Sequence, residues 1–258
     1  MKNFRAVLAV SAFGFALLVS PTGAQAATVS QWASSASAVN IYDEAYSASQ
    51  AAGAPNANSC DKPNQVWATL KRSDIASITL TYAKSVSPTQ IKVYQNNVQG
   101  AVANVEVSSN GVNWTSVYTG DPTKAESGTC SDASKNFNDV LTVSVPSSAS
   151  KLINKVRVTI DQTTAGWAEI DAVQLVGNKG KQSIDLAAKT LKVANSLSLP
   201  SKTSANLKVN WTTSTKNVCS IASGKLKALK KGTCKITGKN AGDGTYDSVS
   251  VAKSIVIK

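Results

Sequence analysis

The sequence predicts an all-β protein made of two sandwiches, and three observations carry that prediction. Only 16% of the residues are charged, while Ser, Thr, Ala, Val and Asn dominate, a composition of half-buried strands and small polar turns rather than of helices or disordered tails. Apolar residues alternate with polar ones in short runs, separated by Gly, Pro, Asn and Ser. The charge also divides the chain. Residues 27–180 hold 11 Lys and Arg against 12 Asp and Glu, whereas 181–258 hold 14 Lys against 3 Asp.

Residues 1–26 read as a secretion signal: Lys2 and Arg5, an apolar run from Ala6 to Val19, the helix-breaking Pro21, and Ala24-Gln25-Ala26 as a cleavage pattern. The apolar run is too short to span a bilayer, and no later stretch approaches the roughly 18 apolar residues that a span requires. The expected mature protein is secreted, without a transmembrane segment, and attached to a cell wall, if at all, by noncovalent contacts.

The first sandwich is expected over residues 28–178. Seven apolar or alternating runs mark its strands: Ile75–Tyr82, Ile91–Tyr94, Val105–Val107, Trp114–Tyr118, Val140–Val145, Val156–Ile160 and Ile170–Val176. Ahead of them, Trp32 to Gln65 shows little periodicity, and a segment of that length in a compact domain wraps the sandwich and builds a site. The Gly- and Lys-rich stretch from Val176 to Lys181 reads as a connection, and a second domain is expected over 181–258. There Ile184, Leu186, Leu197, Leu199, Leu207, Val209 and Trp211 begin an alternation that runs on to Ile257. Seven short strands suit an immunoglobulin-like sandwich.

The four cysteines fall two on each side of that connection, Cys60 with Cys130 and Cys219 with Cys234. In an oxidising compartment thiols pair, and one disulfide in each domain is the natural connectivity of the three possible.

Chemistry is constrained as strongly by what is missing. The chain has no histidine, which removes imidazole triads and the usual zinc ligand. Asp43-Glu44 and the Glu169 and Asp171 pair are the available carboxylates for glycoside cleavage, yet nothing marks the long cleft such an enzyme needs. A noncatalytic protein is expected. Trp67 and Trp114 flank regular strands and read as packing residues. Trp32, Tyr42, Tyr46 and Trp167 lie outside the strand runs, where an aromatic ring can stack on the apolar face of a sugar while neighbouring amides bind its hydroxyls.

The order Gln31-Trp32-Ala33-Ser34-Ser35, Tyr46 to Asn56, Trp67-Ala68, Ser109 to Tyr118 and Trp167-Ala168-Glu169-Ile170-Asp171 resembles the discoidin or coagulation-factor C-type family. The resemblance covers about 150 residues, and it implies a galactose-binding-like jelly roll that holds carbohydrate or lipid headgroups in loops at one end. It also implies a structural calcium. The loop Asn56 to Asp61 offers carboxamide, carbonyl and carboxylate oxygens, so Asn56, Asp61 and Glu169 are the metal candidates. This loop lacks the family's usual Asp-Gly pair and carries Cys60 in its place. Residues 181–258 resemble bacterial Ig-like modules, which implies a spacer or adhesive role.

The lysines of the second domain alternate with apolar residues, as Lys225, Lys227, Lys230 and Lys231 show, and their summed field attracts polyanions such as acidic wall polymers. None of the cations there is an arginine, and no stacking aromatics interleave them, so specific nucleic-acid recognition is not expected. The expected function is that of a secreted carbohydrate-binding protein whose basic module spaces it or tethers it to an anionic surface. The alternative is a surface adhesin or structural protein that binds another protein.

Overall fold

The structure, a computed structural model, describes residues 27–60, 63–125, 138–147, 151–164, 166–187 and 190–258. The expected signal, residues 1–26, lies outside them. The chain is all-β, as its composition and alternation predict. In chain order the strands of the first sandwich are β1 (Thr28–Trp32), β2 (Ser35–Ala38), β3 (Trp67–Ala68), β4 (Ile75–Asn97), β5 (Val102–Ser108), β6 (Thr115–Thr119), β7 (Asn138–Ser144), β8 (Ile153–Asp161) and β9 (Ala168–Asn178).

Each of these strands pairs antiparallel with its neighbours, in two sheets joined by β4. In the first sheet β1 and β3 both lie on one side of β9, followed by the second half of β4 and then β7. In the second sheet β2 pairs with the first half of β4, followed by β8, β5 and β6. The runs Ile75–Tyr82 and Ile91–Tyr94, which read as separate strands in the sequence, are thus the two ends of one strand of 23 residues. Its register breaks between Thr81 and Val86, where Ala83 and Lys84 are exposed and the strand passes from one sheet to the other.

The two sheets share one core. Ile78, Leu80 and Tyr82 of the first half of β4 meet Ile91 and Val93 of the second half, with Val156, Val158 and Ile160 of β8 and Val173 and Leu175 of β9. Full burial of each such aliphatic side chain is worth about 1.5–3 kcal/mol. The Tyr82 hydroxyl, inside this core, donates to the Val173 carbonyl at 3.1 Å, and burial pushes its phenol pKa far above the ordinary range. Trp67 is fully buried and its indole N–H donates to the Asn40 carbonyl at 3.1 Å, the packing role its sequence context suggests.

On the outer face of the second sheet, polar side chains bond across strands. Arg157 makes two bonds to Glu106, at 2.7 and 2.9 Å, and its guanidinium lies 4.4 Å from the centre of the Trp114 ring. The Glu106 carboxylate raises the Arg157 pKa further above its ordinary value. Lys155 donates to the Thr81 hydroxyl at 3.0 Å, and the Ser77 and Thr159 hydroxyls meet at 2.8 Å.

Residues beyond 180 form two three-stranded sheets. They are built from β10 (Ser196–Ser198), β11 (Asn210–Thr213), β12 (Cys219–Ala222), β13 (Lys225–Ala228), β14 (Gly232–Asn240) and β15 (Val249–Ile257), in the orders β10-β13-β12 and β11-β14-β15. The run from Gln182 to Leu186 forms no strand, although Ile184 is buried. A second core of Leu199, Leu226, Ile236, Ile255 and Ile257 lies between the sheets, and the Cys219–Cys234 disulfide ties β12 of one sheet to β14 of the other. Cys60 is disulfide-bonded as well; Cys130 lies outside the described residues. Lys225 and Lys227 are exposed on β13, and Lys235 and Lys239 are exposed on β14. The alternation therefore distributes lysines over two sheets rather than gathering them on one face.

The connection is pinned to this second unit. The Gly180 N–H donates to the Thr245 carbonyl at 2.8 Å, and the Asp247 N–H donates to the Gly180 carbonyl at 2.9 Å. Lys179 Nζ adds a bond to the Asp243 carbonyl at 2.7 Å.

Candidate functional site

At the end of the first sheet where β9 begins, three loop aromatics and one carboxylate surround a small cavity. Its walls are Tyr42, Tyr46, Ala68, Trp167 and Glu169, and its volume is about 140 Å³. Tyr42 stands edge-on to both neighbours, with ring centres 5.5 Å from Tyr46 and 5.2 Å from Trp167, at interplanar angles of 89° and 82°. Half of Tyr42 remains exposed. The rings therefore form the sides of a box rather than a flat platform.

Each wall has a local cause. The Tyr42 N–H donates to the Ala68 carbonyl at 3.0 Å, which anchors the loop to β3. Asp43 caps the following turn of 3-10 helix, Glu44–Tyr46, by accepting from the N–H groups of Ala45 and Tyr46 at 2.8 and 3.3 Å; a short acidic side chain at this position satisfies otherwise orphaned donors. Trp167 follows Gly166, whose φ of +100° lies in the region that favours glycine. The Trp167 carbonyl accepts from the Val98 N–H at 3.2 Å.

Gln162, 1% exposed, supports the cavity from behind. Its Oε1 accepts from the Ala168 N–H at 2.5 Å, while its Nε2 donates to the Thr69 hydroxyl and reaches the Lys71 carbonyl at 3.4 Å. One buried amide thus joins the exits of β8 and β3 to the start of β9, at Ala168 between Trp167 and Glu169. Sequence reasoning missed it. A single Gln after a strand carries no periodic signal, and its role depends on Thr69 and Lys71, more than 90 residues away in the chain.

Glu169 reaches the cavity because of a bulge. Tyr94 pairs with Ala172 and Gln95 with Ile170, so Asp171 is the extra residue on β9. The phase of side chains reverses there: Val173 and Leu175 point into the core above the bulge, Ile170 and Ala168 below it, and Glu169 falls on the opposite face. Its Oε1 accepts from Asn97 Nδ2 at 3.4 Å. The Asp171 carboxylate instead accepts from the backbone N–H groups of Asn56 and Ala57, at 3.0 and 3.2 Å, and so staples the wrapping segment to β9.

Of the four aromatics expected at a binding site, Tyr42, Tyr46 and Trp167 come together. Trp32 does not join them: it lies in β1, not in an irregular segment, and packs edge-on against Tyr94 at 5.4 Å. Of the metal candidates, Glu169 lines the aromatic cavity, the Asn56 N–H donates to the Asp171 carboxylate, and Asp61 lies outside the described residues. Among the described residues no group of three or more His, Cys, Asp or Glu is placed to hold a metal ion, and no helix is long and apolar enough to cross a membrane.

Fold and cavity together define a protein built on a β-sandwich that presents an aromatic-walled pocket at one end of its strands. By family it belongs to "Pappalysin-1, SD scarf domain, C-terminal", whose model matches residues 22–185. No curated protein matches the sequence. Solved structures similar to it include chitosan-binding module 1 of a chitosanase/glucanase from Paenibacillus sp. IK-5, with 20% identity and a TM-score of 0.37 over 55% of this chain and 93% of that one. The family 32 CBM of C. perfringens NanJ in complex with galactose has 19% identity and a TM-score of 0.39 over 57% and 99%. An F5/8 type C domain from Bacteroides fragilis has 14% identity and a TM-score of 0.36 over 57% and 97%.

Proposed function

We propose that this is a secreted, noncatalytic carbohydrate-binding protein whose first sandwich takes one sugar ring in the cavity of Tyr42, Tyr46, Trp167 and Glu169. The observation that carries the reading is the convergence of three loop aromatics around a buried carboxylate. The rings offer apolar walls to the C–H groups of a pyranose, and Glu169 Oε atoms accept from its hydroxyls. At about 140 Å³ the cavity is smaller than the roughly 300–1,000 Å³ typical of drug-sized ligands, which suits a single ring rather than a chain. The second unit is read as an Ig-like spacer whose exposed lysines hold the protein near an anionic wall polymer.

A structural calcium held by Asn56, Asp61 and Glu169 belongs to the same reading. The test is binding of the full chain to a panel of monosaccharides by calorimetry, with and without calcium, alongside Trp167→Ala and Tyr42→Ala. Saturable binding to one sugar, lost in both variants while their melting temperatures hold, is the expected result. Undiminished binding in both variants removes the cavity from the account.

A further inference from the structure

The expected cut after Ala26 leaves Ala27 as the first residue of the exported chain, and the fold places Ala27 against the second unit. Its N–H donates to Asp247 Oδ1 at 3.3 Å, across 220 residues of chain. Its carbonyl accepts from the Lys179 N–H at 3.0 Å. β1 starts at the next residue, where Thr28 pairs with Asn178 at the end of β9 and the two side chains meet at 3.2 Å.

These contacts close a ring around the connection between the units. Ala27 holds Lys179, Gly180 accepts from the Asp247 N–H at 2.9 Å, and the Asp247 carboxylate returns to Ala27. The Asp247 carbonyl is held as well, by Gln182 Nε2 at 2.6 Å, so the carboxylate is presented from a fixed backbone.

Asp247 is one of three acidic residues against 14 lysines in residues 181–258. Yet among the described residues its carboxylate has no lysine partner, and the Ala27 N–H is the one bond it accepts. A half-buried carboxylate with a single neutral donor gains most from a cation placed at that donor.

We propose that the junction is a binding site for the chain's own processed N-terminus: the α-ammonium of Ala27 pairs with Asp247 and locks the first sandwich to the second unit after export. It rests on the secretion part of the proposed function and is independent of the sugar. Hydrolysis of the Ala26–Ala27 bond adds water, leaves a carboxylate on Ala26 and frees the Ala27 amine, which takes up a proton from solvent near neutral pH. One neutral donor becomes a cation with three, already within hydrogen-bond reach of the carboxylate. A chain that still carries residues 1–26 has an uncharged amide at this position.

The neighbouring groups leave this role to Asp247. The Asp243 carboxylate is engaged by the N–H groups of Thr245 and Tyr246, and Lys179 Nζ by the Asp243 carbonyl. The Lys84 side chain comes within 3.6 Å of where a Cβ on Gly244 would stand, and Lys181 lines the cavity between the units with Tyr246. These lysines repel a new ammonium, so its protonation depends on the one carboxylate that faces it.

The experiment weighs the exported product of the full chain by intact mass and titrates the Ala27 amine by NMR through its methyl group. Asp247→Asn keeps an acceptor of the same shape and removes its charge. A chain with one glycine added ahead of Ala27 keeps the Ala27 N–H and moves the ammonium about 3.5 Å away. Thermal melting checks the fold of each. In the native chain Asp247→Asn is expected to lower the amine pKa by about 0.5, roughly a threefold loss of pairing, the scale of an exposed ion pair. Exchange at the Gly180 and Asp247 N–H groups, compared at one pH, is expected to quicken about threefold with it. In the glycine-extended chain the same substitution has a smaller effect on both. A product that starts at Ala27 but whose amine pKa ignores Asp247→Asn, or an equal drop in the extended chain, overturns the inference and leaves secretion standing. A product that starts elsewhere overturns both the cut and the lock.

Discussion

Replacing Gln162 with leucine removes one amide of similar size and leaves its partners in place. The Ala168 N–H, on a residue 2% exposed, loses its acceptor at 2.5 Å and gains none from leucine. An unsatisfied buried donor costs about 1–3 kcal/mol. The Thr69 hydroxyl suffers less, because it already donates to the Lys71 carbonyl at 2.9 Å; losing the incoming Gln162 bond costs about 0.5–1.5 kcal/mol. Together these give about 2–4 kcal/mol, or a melting midpoint lower by about 4–16 °C in a domain of 150–250 residues.

Thr69→Val isolates the smaller part, since it removes the hydroxyl and spares the Ala168 bond, and it is expected to cost about 1 kcal/mol. Differential scanning calorimetry on the full chain measures both, and the Gln162→Leu loss must exceed the Thr69→Val loss. Because Ala168 separates Trp167 from Glu169, sugar affinity should fall in Gln162→Leu at temperatures where the domain is still folded. A Gln162→Leu protein melting within 1 °C of the native one, or less perturbed than Thr69→Val, would refute the view that this amide holds the cavity together.

Three other outcomes follow from the second unit. Replacing Cys219 and Cys234 together by alanine opens a loop of 15 residues and should destabilise that unit by about 3 kcal/mol, read as a lower denaturant midpoint with the first sandwich unaffected. Asp243 accepts from the Tyr246 and Thr245 N–H groups, both at 2.7 Å, which holds its carboxyl below the ordinary range. Its contribution is complete above the unfolded-state pKa and fades as pH falls through the lower folded-state value, so the protection of the Thr245 and Tyr246 amides, taken relative to the intrinsic exchange rate at each pH, should fall on acidification, and Asp243→Asn should flatten that dependence. Gly238→Ala places a Cβ 2.8 Å from the Trp211 ring, which is itself held by its indole bond to the Pro200 carbonyl at 2.7 Å; overpacking of about 1–3 kcal/mol should appear as a lower midpoint and altered Trp fluorescence.

The all-β class was legible because alternation and turn residues are local. Tyr42, Tyr46 and Trp167 were legible as aromatics outside the strand runs, whereas their gathering around one cavity is a tertiary contact that no local pattern announces. What escaped depends on pairing. β2 reads Ser-Ala-Ser-Ala, too small a set of side chains to announce a strand, and it exists because the first half of β4 offers an edge. Lys84 and Pro88 look like turn residues, yet β4 bends there without ending.

The bulge at Asp171 is equally invisible in one strand, because it is a mismatch between two. It decides that Glu169 faces the cavity and Ile170 the core. Trp32 reads as a loop residue because nothing in its own segment says that β9 will capture it. The lysine alternation was correctly read as solvent-facing, but which sheet each lysine joins is a matter of topology.

β9 has a consequence for reach. Its first residues carry the cavity and its last, Asn178, adjoins the Gly180 clip that ties the chain to the second unit. Eleven extended residues separate the two by about 35 Å. A strand braced by neighbours on both sides behaves as a stiff arm, so under the proposed function a glycan held at one end would stand well clear of a wall polymer met by the lysines of the second unit. Both attachments can then form at once, and the second raises the effective concentration of the first without a new contact. Weak binding at each end would be enough to bridge two surfaces.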